Sequence, residues 1–344
     1  MTTKITRFFS LTLDHAQRQY GLTLGVLLVL SILVGACQTN TKDNNAFTSP
    51  ISPLAHPDAK ITSVKISDLD FTGCLLFTSN RTGDFEIYEL KFPGNNLQQL
   101  TNSPGLDIDP AWSPAGNNIA FASNREGAGF QIYGMGSDGS NQQRLGPVQP
   151  GDNSHPSWSP DGQQLVFQSK RDVNSNPLDD NFDLYLMATT DGNVKLLTPD
   201  GADDTAPSWS PKGDQIAFLS ERSGQDEVYL INPDGSNLKQ LTELAILKSS
   251  LSWSNNGQYI LFEGGGDIYA VNINTQEVTK LVSFKDSNEA TPIWLANETL
   301  IFSSDRTGNW ELYLLDWSNS ELKLAQITDE SGINRSPAWF ACSQ

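Results

Sequence analysis

Short apolar runs separated by turn-forming residues dominate the chain from Cys74 to its end. The most regular of these runs stand at residues 119–123, 165–169, 216–220, 260–262 and 300–304. A second apolar run that contains a tyrosine follows each of them, as in Gln131-Ile132-Tyr133. Runs of this length, bounded by Gly, Asn and Asp, are typical of β-strands, and no window after residue 37 shows a helical period. The pattern therefore predicts an all-β body.

A phrase of the form Pro-x-Trp-Ser-Pro-x-Gly precedes these runs and is complete at residues 110–116, 156–162 and 207–213. Three weaker copies follow, and the six copies lie 41 to 51 residues apart. In the turn, Pro presets φ and Gly supplies a positive φ, while the preceding Trp is suited to packing between neighbouring sheets. We interpret these tryptophans as structural core residues: Trp112, Trp158, Trp209, Trp253, Trp294 and Trp339.

A period of this size with four short strands per repeat predicts a six-bladed β-propeller of four-stranded antiparallel blades. The first repeat, at residues 74–101, lacks its Trp strand, and the chain ends in a Trp strand without partners at residues 336–342. The C-terminal strand is therefore expected to complete the first blade and close the ring. Aligning the repeats places Cys74 and Cys342 where other blades have the residues that flank a hairpin turn. That spacing suits a disulfide, which by chain entropy would stabilise the ring by roughly 4–5 kcal/mol.

The N-terminal part of the chain differs from this body. Basic residues precede an apolar run at residues 22–34, and small residues lead directly into Cys37. We expect residues 1–36 to be a lipoprotein signal peptide and Cys37 to carry the lipid, with an uncleaved N-terminal anchor as the alternative. Residues 37–59 are rich in Asn, Thr, Ser and Pro, which predicts a flexible tether. Residues 60–344 form the predicted propeller domain, and the weak alternation at residues 60–72 predicts an accessory strand.

The charge balance narrows the set of partners. The chain has 22 Lys and Arg against 40 Asp and Glu, and residues 1–36 hold three of the basic residues and one of the acids. A body this acidic repels phosphate backbones, so we expect no nucleic-acid binding. It also offers no polybasic patch for anionic lipids, so membrane attachment is expected through the lipid on Cys37.

Two stretches resemble a known family. The segment Ser-Asn-Arg-Thr-Gly-Asp-Phe-Glu-Ile-Tyr at residues 79–88 and the segment Pro-Ser-Trp-Ser-Pro-Asp-Gly at residues 156–162 are similar to repeats of the TolB-type, WD-like six-bladed propellers. The resemblance covers residues 74–342 and implies protein–protein binding in the cell envelope. TolB itself carries an α/β domain before its propeller, whereas only 36 residues lie between Cys37 and Cys74 here.

Loops that share one face of the predicted ring carry the candidate site residues. An arginine recurs there in Ser-x-Arg (Arg81, Arg125, Arg171, Arg222 and Arg306), and we interpret it as a structural partner of the Asp-rich loops. Blade five lacks this arginine. An insertion in the third blade, at residues 173–180, is expected to project from the same face, either as a binding element or as a disordered surface loop. The candidate binding residues are Asp109, Asp152, His155, Asp203, Asp204, Lys248, Glu289, Arg335, Asp179 and Asp180.

The chemistry of these residues favours binding over catalysis. His155 is the only histidine after the tether, so no multi-histidine metal site is expected, and no hydrolase nucleophile motif is present. We expect an exported, monomeric, lipid-anchored platform without a cofactor that binds an envelope protein or an extracellular polymer, in the periplasm or at the cell exterior. Two alternatives stay open. One is a lyase or hydrolase that acts on glycans or peptides at an acidic channel mouth, and the other is a Ca²⁺-dependent ligand-binding sensor.

Overall fold

The structure is a computed structural model that describes residues 61–69, 71–127, 129–147, 151–171, 181–296, 298–317, 322–329 and 332–342. The signal peptide, Cys37, the tether and the insertion with Asp179 and Asp180 lie outside the described residues. Within the described ranges, no helix is long and apolar enough to cross a membrane.

The described residues form 25 strands and one short 3₁₀ helix at Ile66–Asp68. In chain order the strands are β1 (Ile61–Ser63), β2 (Gly73–Ser79), β3 (Glu86–Phe92), β4 (Asn96–Gln99), β5 (Asp107–Trp112), β6 (Asn118–Ser123), β7 (Gln131–Gly136), β8 (Gln143–Arg144), β9 (Asp152–Trp158), β10 (Gln164–Lys170), β11 (Asp183–Ala188), β12 (Val194–Leu196), β13 (Asp204–Trp209), β14 (Ile216–Ser220), β15 (Glu227–Ile231), β16 (Lys239–Gln240), β17 (Lys248–Trp253), β18 (Tyr259–Gly264), β19 (Asp267–Asn272), β20 (Val278–Val282), β21 (Glu289–Ala296), β22 (Thr299–Ser304), β23 (Glu311–Asp316), β24 (Leu322–Gln326) and β25 (Asn334–Phe340).

These strands make six antiparallel sheets, which confirms the predicted six-bladed propeller. Blades 2 to 6 each use consecutive strands, beginning with β5, β9, β13, β17 and β21. Blade 1 has the order β25-β2-β3-β4, so both ends of the chain contribute to it. The Trp strands β5, β9, β13, β17, β21 and β25 contact one another around the ring and are called the inner strands below.

The ring is closed in the predicted register. Leu75 of β2 pairs with Trp339 of β25, as Ile119 pairs with Trp112 in blade 2. Cys74 and Cys342 form a disulfide with their Cα atoms 5.9 Å apart. The accessory strand is also present, because β1 pairs in parallel with β24 and adds a fifth strand to the outer edge of blade 6.

The tryptophans pack between blades, as the repeat predicted. The buried core divides into six apolar clusters, one at each interface between adjacent blades, and each contains or contacts one inner-strand Trp. Trp209, for example, packs against Val166 and Leu184 of the preceding blade. Large planar side chains fill such wedge-shaped interfaces well because they bury much apolar area with few rotatable bonds.

Every inner strand contains a bulge. The residue three positions before Trp has φ between 47° and 53°, and the pairing register shifts there in all six blades. The six residues are Asp109, His155, Ala206, Ser250, Thr291 and Ser336. None of them is glycine, so each pays a left-handed backbone cost of roughly 1–2 kcal/mol. A bulge re-aims its side chain, and here it does so at the inner wall of the ring.

Candidate interaction site

Strand direction assigns two faces to the ring. The loops between second and third strands, and the loops that enter the inner strands, lie together on what we call the loop face. The turns after the inner strands and after the third strands lie on the opposite side, the turn face. The disulfide lies at the turn face, since it joins the end of β25 to the start of β2.

A buried anchor position lies just under the loop face, five residues before each Trp. Its occupants are at most 2 % exposed and are Asp107, Asn153, Asp204, Lys248, Glu289 and Asn334. Polar side chains this deeply buried need partners, because an unpaired buried polar group costs about 1–3 kcal/mol.

The recurring arginine supplies that partner in five blades. Arg125 donates to Asp107 at 2.8 Å, and Arg222 donates to Asp204 at 2.9 Å. The remaining three pairs join Arg306 to Glu289 at 3.5 Å, Arg171 to Asn153 at 2.8 Å and Arg81 to Asn334 at 2.9 Å.

Each guanidinium also lies over the Phe of the second strand and the Tyr of the third, with Arg125 for instance 4.7 Å from the ring centroid of Tyr133. The structural interpretation of these arginines is therefore confirmed.

In blade 5 the buried anchor residue is a cation, and its partner is an acid. Lys248 occupies the anchor position, and its ammonium lies 2.9 Å from the carboxylate of Glu227 in blade 4. The same Nζ donates to the carbonyl oxygens of Asp226, Leu244 and Ile246 at 2.7–3.0 Å. All the hydrogen-bonding capacity of Lys248 is thus used inside the protein.

Burial changes the ionisation of several of these acids. It raises the pKa of Asp204 and of Glu289, although the nearby arginine charge opposes the rise in both. Glu86 of blade 1 shows the largest effect, because burial, together with the negative charge of Asp107, raises its pKa to about 7. Glu86 accepts hydrogen bonds from the Thr101 hydroxyl at 2.6 Å and from the Ser103 amide at 3.1 Å.

Five of the predicted binding residues are therefore parts of the scaffold. Asp204, Lys248 and Glu289 are buried beneath the loop face, and their charged groups contact internal partners. Asp152 and Asp203 are half-buried, and their carboxylates accept the backbone N–H of Phe130 and Phe182 at 2.9 and 2.7 Å. The repeat position alone does not distinguish such acids from exposed ones.

Two of the predicted residues do meet at the inner wall. The hydroxyl of Ser336 donates to Asp109 at 3.2 Å, and Nδ1 of His155 lies 3.2 Å from the other carboxylate oxygen of Asp109. These three residues occupy the bulge position of blades 1, 2 and 3. The His155 side chain remains 44 % exposed and is available to a ligand.

Arg335 is partly buried and interacts electrostatically with Glu263, which was not among the predicted binding residues. Its guanidinium lies over the Trp310 ring, 3.9 Å from the centroid. Burial lowers the pKa of Arg335 and raises that of Glu263, and the two charges partly offset these shifts in each other. Glu263 also accepts hydrogen bonds from the Ser249 hydroxyl and, at 3.3 Å, from the Gly266 amide. The replacement of the blade 5 arginine motif by Glu263-Gly264-Gly265-Gly266 was the available signal.

The described residues contain no group of three or more His, Cys, Asp or Glu side chains that could hold a metal ion. Between blades 1 and 2 lies an open groove of about 580 Å³, lined by residues 99–104 with Arg125 and Gln142. The candidate site is therefore the polar loop face of a six-bladed propeller whose anchor residues form ion pairs or hydrogen bonds inside the protein.

A family model described as the TolB beta propeller domain matches residues 72–174 and 147–267, which together exceed half of the 344-residue chain. The chain belongs to this family of TolB β-propeller domains.

Several proteins named TolB are similar to this chain. A protein TolB homolog of Chlorobium luteolum is 30% identical over 163 residues, which cover 47% of this chain and 35% of the relative. The Tol-Pal system protein TolB of Bordetella pertussis is 38% identical over 151 residues, 44% of this chain and 32% of the relative. The matched parts thus span about a third of these relatives. Among solved structures, TolB from Acinetobacter baumannii superimposes with a TM-score of 0.67 at 22% identity, over 79% of this chain and 67% of that chain, which shows the shared fold.

Proposed function

We propose that this chain is a lipid-anchored, non-catalytic propeller that docks another protein of the bacterial cell envelope through its loop face. The observation that carries the proposal is the 38% identity over 151 residues to a protein named as the Tol-Pal system protein TolB. The match of the TolB beta propeller family model to residues 72–174 and 147–267 adds to it.

The direction of β1 bears on which face a partner can reach. The outer strand β24 runs toward the loop face, and β1 runs parallel to it. Ile61, at the start of β1, therefore lies toward the turn face, which supports docking through the loop face.

The arrangement at the inner wall supports a role other than hydrolysis. In a catalytic triad the histidine lies between the acid and the nucleophile, so that it can take the hydroxyl proton. Here Asp109 lies between Ser336 and His155, and its carboxylate accepts a hydrogen bond from the Ser336 hydroxyl. This order suits recognition of a polar group, because His155 contacts the carboxylate and does not act on the hydroxyl as in a triad.

Site-specific photocrosslinking in the envelope tests the docking face. We would place the crosslinker at Ser223, an exposed loop-face residue, and at Lys212, an exposed turn-face residue. The proposal expects a crosslinked envelope protein from position 223 and little from position 212. Crosslinks of equal strength from both positions, or none from the loop face, would contradict it.

Fractionation of a Cys37→Ser variant tests the anchor. The proposal expects the wild-type chain in the membrane fraction and the variant in the soluble exported fraction. A variant that stays with the membranes would show that another element holds the protein there.

A further inference from the structure

The residue immediately before each third strand follows a pattern that the repeat does not require. In blades 6, 1, 2 and 3, which are consecutive around the ring, it is aromatic, and blades 4 and 5 have Asp226 and Gly266 instead. We call the four aromatic residues the aromatic arc, and they are Trp310, Phe85, Phe130 and Phe182. All four are half-buried and lie on the loop face.

The fold uses the backbone of this position rather than its side chain. In five blades the carbonyl oxygen accepts the backbone N–H of the anchor residue in the next blade at 2.7–2.9 Å, whether the residue is Phe, Trp or Gly. In blade 4 the Asp226 carbonyl accepts from the Lys248 ammonium. Because Gly266 and Asp226 fill the same structural role, folding does not account for four aromatic side chains at the water-exposed end of the ring.

The surroundings of the arc are acidic. The described loops of the loop face have exposed carboxylates in every part of the ring, whereas the recurring arginines are engaged at the anchor positions. These carboxylates are Asp84, Glu126, Asp200, Glu221, Glu243, Asp286 and Asp329. Two of them are already paired within the chain, Glu126 with Arg144 and Asp200 with Arg222 at 2.7 Å. The exposed cation of the same described loops is Lys285. Aromatic faces within a negative potential are complementary to cationic side chains.

Two rings of the arc already receive a cation from this chain. The guanidinium of Arg335 lies 3.9 Å from the Trp310 centroid, and the ammonium of Lys170 lies 5.8 Å from the Phe182 centroid. These contacts show the geometry in which Lys and Arg approach the arc. A neutral sugar also stacks on aromatic rings and donates hydroxyl hydrogen bonds to carboxylates, but it gains nothing from the net negative potential, whereas a cation does.

We propose that the aromatic arc is the docking surface for a Lys- and Arg-bearing segment of the partner protein. The inference rests on the proposed function, since it names the chemistry of the partner at the loop face. Cationic side chains of the partner would stack on the arc and be neutralised by the carboxylates around it. Aromatic anchors surrounded by charged residues are the usual centre of a protein interface.

The test uses the full exported chain and a short fluorescein-labelled peptide of repeating Arg-Ser-Lys-Gly units, with binding followed by anisotropy at about 0.15 M salt. One variant changes Phe85, Phe130, Phe182 and Trp310 to Ala. A second changes the same four residues to Leu, which keeps most of the apolar volume and so protects folding while removing the ring faces. Leu238→Ala, at a 45 % exposed apolar residue of the turn face, is the matched control.

We expect the Leu and Ala variants to bind the peptide at least about tenfold more weakly than wild type and the Leu238→Ala control to bind unchanged. An analogue with Gln in place of Arg and Lys should not bind. Equal affinity of the wild type and the Leu variant would show attraction by net charge alone and overturn the proposal. Arc-dependent binding of chitohexaose without arc-dependent peptide binding would overturn it in favour of a glycan ligand. In both cases, a partner protein crosslinked from position 223 would leave the proposed function standing.

Discussion

Blade 2 and blade 5 anchor their inner strands with opposite charges at the same position. In blade 2 the anchor residue is the acid Asp107, and the cation comes from a loop of the same blade. In blade 5 the anchor residue is Lys248, and its acid, Glu227, belongs to the preceding blade. The ion pair of blade 5 therefore crosses an interface between blades, whereas that of blade 2 lies within one blade.

The difference shows that the propeller requires a satisfied buried charge at this place and not a particular residue. It also explains a contrast between two equivalent glutamates. Glu227 faces the ammonium of Lys248, whereas Glu86 faces the carboxylate of Asp107. The negative charge at this strand position is thus stabilised by a neighbouring cation in blade 4 and destabilised by a neighbouring anion in blade 1.

The largest effect is expected from Lys248→Met, which fills the same space without the charge. Glu227 would lose its buried countercharge while keeping hydrogen bonds from Thr242 and Leu244, and three backbone carbonyl oxygens would lose a donor, so we expect a loss of about 3–5 kcal/mol in the free energy of unfolding. Urea denaturation measures it. The exposed turn-face Lys212→Met should change stability by less than about 0.5 kcal/mol. A Lys248→Met protein as stable as wild type would mean that the interblade ion pair contributes nothing.

Loss of the disulfide should come next, because blade 1 is the one blade assembled from both chain ends. Cys342→Ser opens a covalent loop between residues 268 positions apart. We expect a loss of about 2–4 kcal/mol, the range typical of disulfides, which is below the chain-entropy value of roughly 4–5 kcal/mol for so long a loop. Reducing agent should lower the stability of the wild type to that of the variant and leave the variant unchanged. Cys37→Ser is the control and should keep the wild-type stability. If reduction has no effect, the hydrogen bonds of β25 alone close the ring.

The pH dependence of stability should reveal Glu86. Its pKa in the folded protein is about 7, above the ordinary value of 4.5, so the folded state holds a proton that the unfolded state releases between these values. Its contribution is fully present below about pH 4.5 and is lost as the pH rises toward 7. Glu86→Gln should therefore flatten the fall in unfolding free energy between pH 5 and pH 8. If the unfolding free energy of the variant falls as steeply with pH as that of the wild type, the pH dependence comes from the other buried acids and not from Glu86.

The smallest effect on the free energy of unfolding is expected at the bulge position of blade 4, where the residue is an alanine without a polar group. Ala206 has φ of 49°, a conformation that costs alanine about 1 kcal/mol relative to glycine. Ala206→Gly should raise the free energy of unfolding by at most about 0.5 kcal/mol, because the greater entropy of glycine in the unfolded chain offsets roughly 0.4–1 kcal/mol of the relieved strain. Thermal and urea unfolding measure it, and a decrease in stability would show that the bulge is not strained.

The repeat pattern was sufficient to predict the blades, their number, the closure by the C-terminal strand and the Cys74–Cys342 pair. These features depend on local periodicity and on chain order, and both are visible in one dimension. The roles of individual charged residues could not be predicted from the repeat pattern. Asp204 and Asp109 are both acids near the start of an inner strand. Asp204 is fully buried, whereas Asp109 contacts Ser336 and His155 at the inner wall of the ring.

The sequence by itself determined a ring of six Trp-bearing blades, because each blade is specified by strands and turns that recur along the chain. Only the tertiary structure decided which charged side chains pair inside the protein and which remain exposed to a partner. That decision depends on neighbours in adjacent blades, such as Glu227 for Lys248 and Trp310 for Arg335. Residues of this kind lie far closer in the ring than along the chain, and burial, rather than residue type, determines whether a carboxylate serves the scaffold or the surface.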